Sequence, residues 1–361
     1  MHNAGHHADA DMNPYKRLPT QSFWRLSVAS KHMLDIDDLW NPKFGIERTQ
    51  PIVTFGSCFA QHIGKALKES GYNWLTTERP PHGLSRENAK LFGYNMFSAR
   101  TGNIYSVSLL KQWTEWALGQ SPPSDELWEK DGRIIDPFRP TIEPNGFASE
   151  AEMRSSRDQA VTSFRNSIER ARYFVFTLGL TETWINKEGG YEYPMCPGTA
   201  GGDFHPQKHI FRNLQFPEVL KNLGSAMELM RGLNKNLRFL LTVSPVPLVA
   251  TNSGNHVLVA TMESKSILRA VAGQLTRNRA YVDYFPSYEL INSPVYRGVF
   301  FEPNQRSVNR HGVDFVMKVF FSCLSTKVEK AKVAGAHKVS DSQLDAECDE
   351  ELLEAFGGKA G

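Results

Sequence analysis

The run Pro51-Ile52-Val53-Thr54-Phe55-Gly56-Ser57-Cys58-Phe59-Ala60 constrains this chain more than any other stretch of it. Its first five residues form a short apolar run rich in β-branched residues, the composition of a buried strand, and a glycine closes them. An amphipathic stretch follows at once. Ile63, Ala66 and Leu67 fall on one helical face, and Gly71 stands where a helix C-cap belongs. Strand, tight turn and helix in direct succession are the opening of an α/β domain.

The pattern recurs downstream. Residues 173–178 (YFVFTL) and 237–243 (LRFLLTV) read as buried strands, and 280–284 as a short fourth. Helical spacing marks residues 103–118, 149–171, 217–233, 256–275 and 313–324, with Ser149 and Glu152 in capping-box positions. Strands alternating with helices predict an α/β fold, a mostly parallel sheet covered by helices on both faces. Sites in such sheets lie at the C-terminal strand ends. Those ends carry Gly56-Ser57-Cys58, Gly179-Leu180-Thr181-Glu182 and Ser244-Pro245-Val246-Pro247. Residues 73–101 and 183–215 read as loops, and the Pro-, Gly- and charge-rich residues 119–148 as an insertion lying over the fold. The chain divides into a disordered N-terminal segment (1–20), one domain (21–325) and a polar tail (326–361). The tail is partly helical or disordered, with a weakly amphipathic piece at 344–356.

Composition narrows the function classes. A net charge of +2 over 361 residues, with no basic stripe interleaved with aromatics, argues against a nucleic-acid partner. No run of about 18 apolar residues predicts a membrane span, and the N-terminus lacks the apolar core of a signal peptide, so the expected location is cytoplasmic. Four cysteines without CxxC spacing predict neither a disulfide framework nor a structural zinc site. His2, His6 and His7 read as part of a mobile polar terminus. Cys196 with His205 and His209 offers zinc-type ligands, but the Pro/Gly-rich context gives no helix to align the pair. A substrate-covering loop is the preferred reading, and no metal is expected. No glycine cluster fits a Walker or dinucleotide pattern, so no cofactor is expected.

At Thr54-Phe55-Gly56-Ser57-Cys58-Phe59-Ala60 the chain closely resembles the GSCFA family. The likeness extends to Gly102-Asn103-Ile104-Tyr105, Asp136-Pro137-Phe138-Arg139-Pro140, the stretch from Phe176 through Gly179-Leu180-Thr181-Glu182 to Trp184, Cys196-Pro197-Gly198-Thr199, Ser244-Pro245-Val246-Pro247-Leu248 and Tyr284-Phe285-Pro286-Ser287-Tyr288-Glu289. That family is in turn similar, more distantly, to the SGNH/GDSL esterases and acyltransferases. The resemblance implies a three-layer α/β/α sandwich. It also implies a nucleophile after the first strand, a glycine and an asparagine in two later blocks as oxyanion donors, and a C-terminal Asp-x-x-His. Laid on this chain, the first block puts Cys58 at the nucleophile position, and a shift of one residue restores Ser57. Gly102 and Asn103 stand for the second block. The third reads Gly179-Leu180-Thr181-Glu182, with Thr181 in place of asparagine. His311 precedes an apolar helix as the family base does, but Val308 stands where its aspartate belongs.

A thiol or hydroxyl between a strand and a helix N-terminus gains from the helix dipole and its unpaired N–H groups, which stabilise an anion. The bland alternative is a tight turn holding a small core cysteine. His311, His209 and His205 are rival bases, and Asp314, Asp283 or a backbone carbonyl would have to orient His311. Glu182 reads as an acid, a substrate acceptor or a helix-start carboxylate. Trp184, Tyr191, Tyr193 and Phe204 read as sugar-stacking or core-covering aromatics, and Arg100 and Arg139 as anion ligands or ion-pair partners. The expected function is a hydrolase or acyltransferase acting on ester-linked acyl groups of a small molecule or glycan through a covalent acyl-enzyme, with Gly56, Gly102, Asn103, Gly179, Thr181, Glu182 and His209 around Cys58, Ser57 and His311. The alternative is a non-catalytic carbohydrate- or protein-binding module on the same fold. The sequence gives no oligomeric state.

Overall fold

A computed structural model describes residues 13–324 and 349–359. The centre is a four-stranded parallel sheet. It is built from β1 (Ile52–Gly56), β4 (Tyr173–Leu178), β8 (Arg238–Val243) and β9 (Val282–Tyr284), in the spatial order β1-β4-β8-β9. The register runs Ile52↔Tyr173 through Gly56↔Thr177, and Tyr173↔Arg238 through Leu178↔Val243. Residues 73–75 pair with the outer edge of β1, through Ile52 N–H to the Asn73 carbonyl (2.9 Å) and Leu75 N–H to the Ile52 carbonyl (2.8 Å). That pairing covers an edge the sheet would otherwise leave open.

Alternation along each strand sorts the core into two layers, because successive side chains point to opposite faces. Val53, Phe55, Phe174, Phe176, Phe239 and Leu241 enter one buried cluster. In it lie α3 (Val107–Ala117), α4 (Glu150–Arg170), α5 (Phe216–Leu233) and α6 (Val257–Asn278). Ile52, Tyr173, Val175 and Leu240 enter the other, with α1 (Phe59–Glu69), α7 (Ser287–Asn292) and α8 (Arg310–Leu324). The chain is therefore an α/β/α sandwich with both sheet faces covered. The helices start where their caps are: Ser106 accepts from Leu109 N–H (3.0 Å), Ser149 from Glu152 N–H (3.2 Å), and Gln215 forms a reciprocal box with Glu218.

The two segments read as loops and the one read as an insertion contain secondary structure. Residues 73–101 hold the short helix α2 (Arg86–Leu91) besides the edge pairing. Residues 119–148 hold the hairpin of β2 (Trp128–Lys130) and β3 (Arg133–Ile135). Its turn is Asp131-Gly132, both with positive φ (51° and 72°), a hairpin signature at the dipeptide level. Residues 183–215 carry most of an antiparallel three-stranded sheet in the order β6-β5-β7, formed by β5 (Glu182–Asn186), β6 (Glu192–Tyr193) and β7 (His209–Asn213). Its strands are short and punctuated by Pro and Gly, which masks them in sequence. Near the N-terminus, 3₁₀ turns cover Pro14–Arg17 and Thr20–Ser22. Residues 1–12 of the disordered segment expected at 1–20, residue 325 of the domain, and 326–348 and 360–361 of the expected tail lie outside the described residues. Residues 349–359 form a 3₁₀ helix.

His62 on α1 is buried, and burial, with a smaller push from Lys65, lowers its imidazole from 6.5 to about 4. The native state therefore binds no proton at His62 until well below the pH at which the unfolded chain does. Stability from this group is level above pH 6.5, declines as pH falls, and levels off below about 4, a loss on the order of 3 kcal/mol. Urea midpoints at pH 7 and pH 4.5 should differ accordingly. His62→Gln should shrink the difference, and an unchanged difference would contradict the assignment.

Candidate active site

The site grows from the end of β1. Gly56 has φ +130°, and a Cβ there would lie 2.3 Å from the Thr177 carbonyl oxygen and 2.7 Å from its nitrogen, so only glycine fits. Ser57 N–H then donates to the same Thr177 carbonyl (3.0 Å), which bends the chain off the sheet. Cys58 is the N-cap of α1 and is buried. The Ser57 hydroxyl is also buried and has no hydrogen-bond partner among the described residues.

Two further segments, one ahead of α3 and one after β4, are tied to this turn by main-chain bonds. Ile104 N–H donates to the Gly56 carbonyl (2.9 Å), which brings Gly102, Asn103 and Tyr105 alongside. Gly179 and Leu180, just past β4, both donate to the Tyr105 carbonyl (3.0 and 3.2 Å). Gly179 is squeezed there. A Cβ on it would lie 2.8 Å from that carbonyl oxygen and 3.2 Å from the Ser57 Cβ. From α6 the Lys265 ammonium reaches in and donates to the Gly179 carbonyl (2.6 Å). Ser57, Cys58, Tyr105, Gly179, Lys265 and Glu350 line the resulting cleft, together with Ser244 and residues 246–248 after β8. The space left between them is ≈ 10 Å³, about one water molecule.

Asn103 stands beside the turn. Its Oδ1 accepts from Gln61 Nε2 on α1 (3.4 Å), and its Nδ2 donates to Asp349 Oδ2 (2.6 Å). The loop behind it is set from below by charge. Arg139 Nη1 donates to the Arg100 carbonyl (3.3 Å), and Arg139 and Arg157 both bond the buried Asp136. Arg100 itself pairs with Glu78 and Glu143. Arg100 and Arg139 are thus ion-pair partners that hold the loop.

The remaining residues expected at the site lie elsewhere. Thr181 is fully buried. Its N–H goes to Ser264 Oγ (3.0 Å) and its hydroxyl to Asn213 Oδ1 (2.6 Å), so both donors are spent on the fold. Glu182 binds the Thr251 hydroxyl and the Asn252 N–H, tying the 251–252 loop to β5, and burial raises its carboxyl above the ordinary value. His209 opens β7. Its Nδ1 accepts from His205 N–H (3.1 Å) and its ring packs edge-on against Tyr193 (5.6 Å), so it belongs to the small sheet. His311 is exposed in the first turn of α8. None of the described residues lining the cleft is a histidine.

Of the zinc-type donors, Cys196 is pushed up to about 11 by burial, which disfavours a thiolate, and no group of three or more His, Cys, Asp or Glu among the described residues could hold a metal ion. Tyr191 and Tyr193 turn inward, where their hydroxyls bond Glu126. Trp184 packs against Phe204 (5.3 Å) and Phe211 (5.5 Å).

Sequence reasoning missed Tyr105 as a hub, Lys265, and the pair Asp349 and Glu350. Lys265 left a signal. It falls on the stripe Thr261, Ser264, Leu268, Val271, Ala272 and Leu275 that α6 buries, and a lysine in such a stripe needs an acceptor inside.

Fold and site together define a parallel-sheet α/β protein whose strand-to-helix turn offers a cysteine and a serine to a closed cleft. The chain belongs to the GSCFA family, whose sequence model matches residues 51–320. No curated protein and no solved structure matches it. Among the described residues no helix is long and apolar enough to cross a membrane.

Proposed function

We propose that the protein is an SGNH-like hydrolase or acyltransferase that takes an acyl group from an ester onto Cys58. A glycan substrate accords with the family resemblance. The observation that carries the reading is the placement of Cys58 at the α1 N-terminus, in a cleft that also holds Gly179 and the Lys265 ammonium. Helix-start N–H groups and a nearby cation stabilise the oxyanion that forms when a carbonyl is attacked. The absence of an imidazole among the described lining residues favours Cys58 over Ser57. A serine hydroxyl needs a positioned base, whereas a cysteine presents some thiolate at neutral pH without one.

The Cys58 thiol gives its proton to solvent, and Sγ attacks the ester carbonyl carbon. The carbon–oxygen bond of the leaving alcohol breaks, and that alcohol leaves with a proton from water. The thioester is then cleaved by water in hydrolysis, or by an acceptor hydroxyl in transfer, which returns the thiol.

Short-chain aryl esters and thioesters test this. Cys58→Ala should lower kcat/KM by about 10³-fold or more. Ser57→Ala and His311→Ala should each change it by less than about tenfold. Full turnover by Cys58→Ala would sink the mechanism. A second reading, a non-catalytic carbohydrate- or protein-binding module, is favoured by the spent Thr181 donors and by the lack of an imidazole among the described residues lining the cleft. It predicts binding with no turnover of any ester by the parent chain.

A further inference from the structure

The cleft beside Cys58 is walled by residues far along the chain. Asp349 Oδ2 accepts from Asn103 Nδ2 (2.6 Å), and Asp349 Oδ1 accepts from the Thr141 hydroxyl (2.6 Å). Its neighbour Glu350 accepts from Arg306 Nη2 (3.2 Å) and feels the charge of Lys265. Glu351 adds a second contact to Arg306, at 3.4 Å from Nη1.

These two carboxylates stand between two small spaces. Glu350 lines the ≈ 10 Å³ space with Ser57, Cys58 and Lys265. Asp349 lines a second one of ≈ 20 Å³ with Gly102, Asn103 and Thr141. Neither remnant admits even a small organic molecule, whereas ligand pockets run to several hundred Å³. The segment therefore fills the volume that a ligand of the Cys58 turn would need. It fills it with carboxylates bonded to an amide, a hydroxyl and a guanidinium, in the field of the Lys265 ammonium, a donor set suited to an organic acid. Burial pushes both carboxyl groups up from their ordinary values, against the pull of Arg306 and Lys265 on Glu350.

We infer that Asn103, Thr141, Arg306 and Lys265 form a carboxylate-binding subsite beside Cys58, which Asp349 and Glu350 of the chain itself occupy until a carboxylate-bearing ligand displaces them. This rests on the reading of the cleft as a substrate site, and it adds the charge class of the ligand. Self-occupancy lowers the apparent affinity of any competitor by the fraction of molecules left open.

The test uses the full chain and calorimetric binding of glucuronate, with glucose as its neutral counterpart. Asp349→Ala/Glu350→Ala should bind glucuronate at least about tenfold more tightly than the parent, and glucose no better than before. Adding Thr141→Val to that variant should remove most of the gain. Iodoacetamide should also label Cys58 faster in the double variant, since Glu350 no longer walls the cleft. Equal glucuronate affinity in parent and double variant overturns self-occupancy, and equal binding of glucose and glucuronate overturns the carboxylate subsite. Because binding and labelling need no turnover, a failure of the acyl-transfer reading leaves both results interpretable.

Discussion

Asp136→Ala is expected to destabilise the protein by about 3–5 kcal/mol and to lower its Tm by about 5 °C. The carboxylate has no exposed side-chain surface, and it compensates two guanidiniums that are nearly as buried. Oδ2 accepts from Arg139 Nε (2.8 Å). Oδ1 accepts from Arg157 Nε (3.1 Å) and Nη2 (2.8 Å), and from the N–H of Phe138 (3.1 Å). Burial works against the charge, but the two arginines prevail and hold the Asp136 carboxyl below its ordinary value. Removing it strands two cations in the interior, which is far costlier than losing an exposed ion pair. The damage should reach the cleft, because Arg139 also holds the Arg100 carbonyl at the base of the Gly102-Asn103 loop. Thermal unfolding of Asp136→Ala beside the exposed-pair variant Glu150→Ala checks this. A Tm loss no larger than that of Glu150→Ala would mean that the network is not what holds the loop.

Gly56→Ala is the second large effect, and its cause is steric rather than electrostatic. A methyl group at this position would stand 2.3 Å from one main-chain oxygen of β4 and would require φ +130° of an L residue. Neither neighbour is a flexible side chain, so β1 and β4 must separate at their C-terminal ends. The expected result is loss of soluble, cooperatively folding protein, or a fold retained with a displaced turn and kcat/KM lowered by about 10² or more. A well-folded Gly56→Ala with parental activity would show that the turn tolerates another path. Gly179→Ala makes a graded comparison, since its Cβ would meet the Tyr105 carbonyl at 2.8 Å with an ordinary φ.

The central layer was legible because its strands are continuous apolar runs and its helices carry their caps in sequence. Residues 173–178 and the Ser149 cap illustrate both cases. The small antiparallel sheet was not legible. Its strands bury alternate residues only in part and are split by Pro194, Pro197 and several glycines, so no window shows a clean period. At the site, the turn at Gly56-Ser57-Cys58 and the approach of Gly179 follow from where strands end, whereas Asn103 lies in the loop ahead of α3 and is tied in by the Ile104–Gly56 bond. Thr181 and Glu182 lie close in sequence to such an end, and His209 in the stretch after it, yet their side chains are taken up by Ser264 and Asn213, by Thr251, and by the small sheet. Which groups spend their donors on the fold is a property of three-dimensional neighbours, and spacing along the chain does not encode it. The arrival of Asp349 and Glu350 at Asn103 and Arg306 is of the same kind.

The site's three segments meet through carbonyls and amides: Gly56 with Ile104, Thr177 with Ser57, and Tyr105 with Gly179 and Leu180. Such joints are indifferent to the side chains they carry, so long as the two tight glycines stay. A lineage can exchange the groups at 57, 58, 103 and 105 while the cleft keeps its shape. Chemistry can thus drift on this frame faster than architecture, and two relatives with superimposable clefts need not share a reaction.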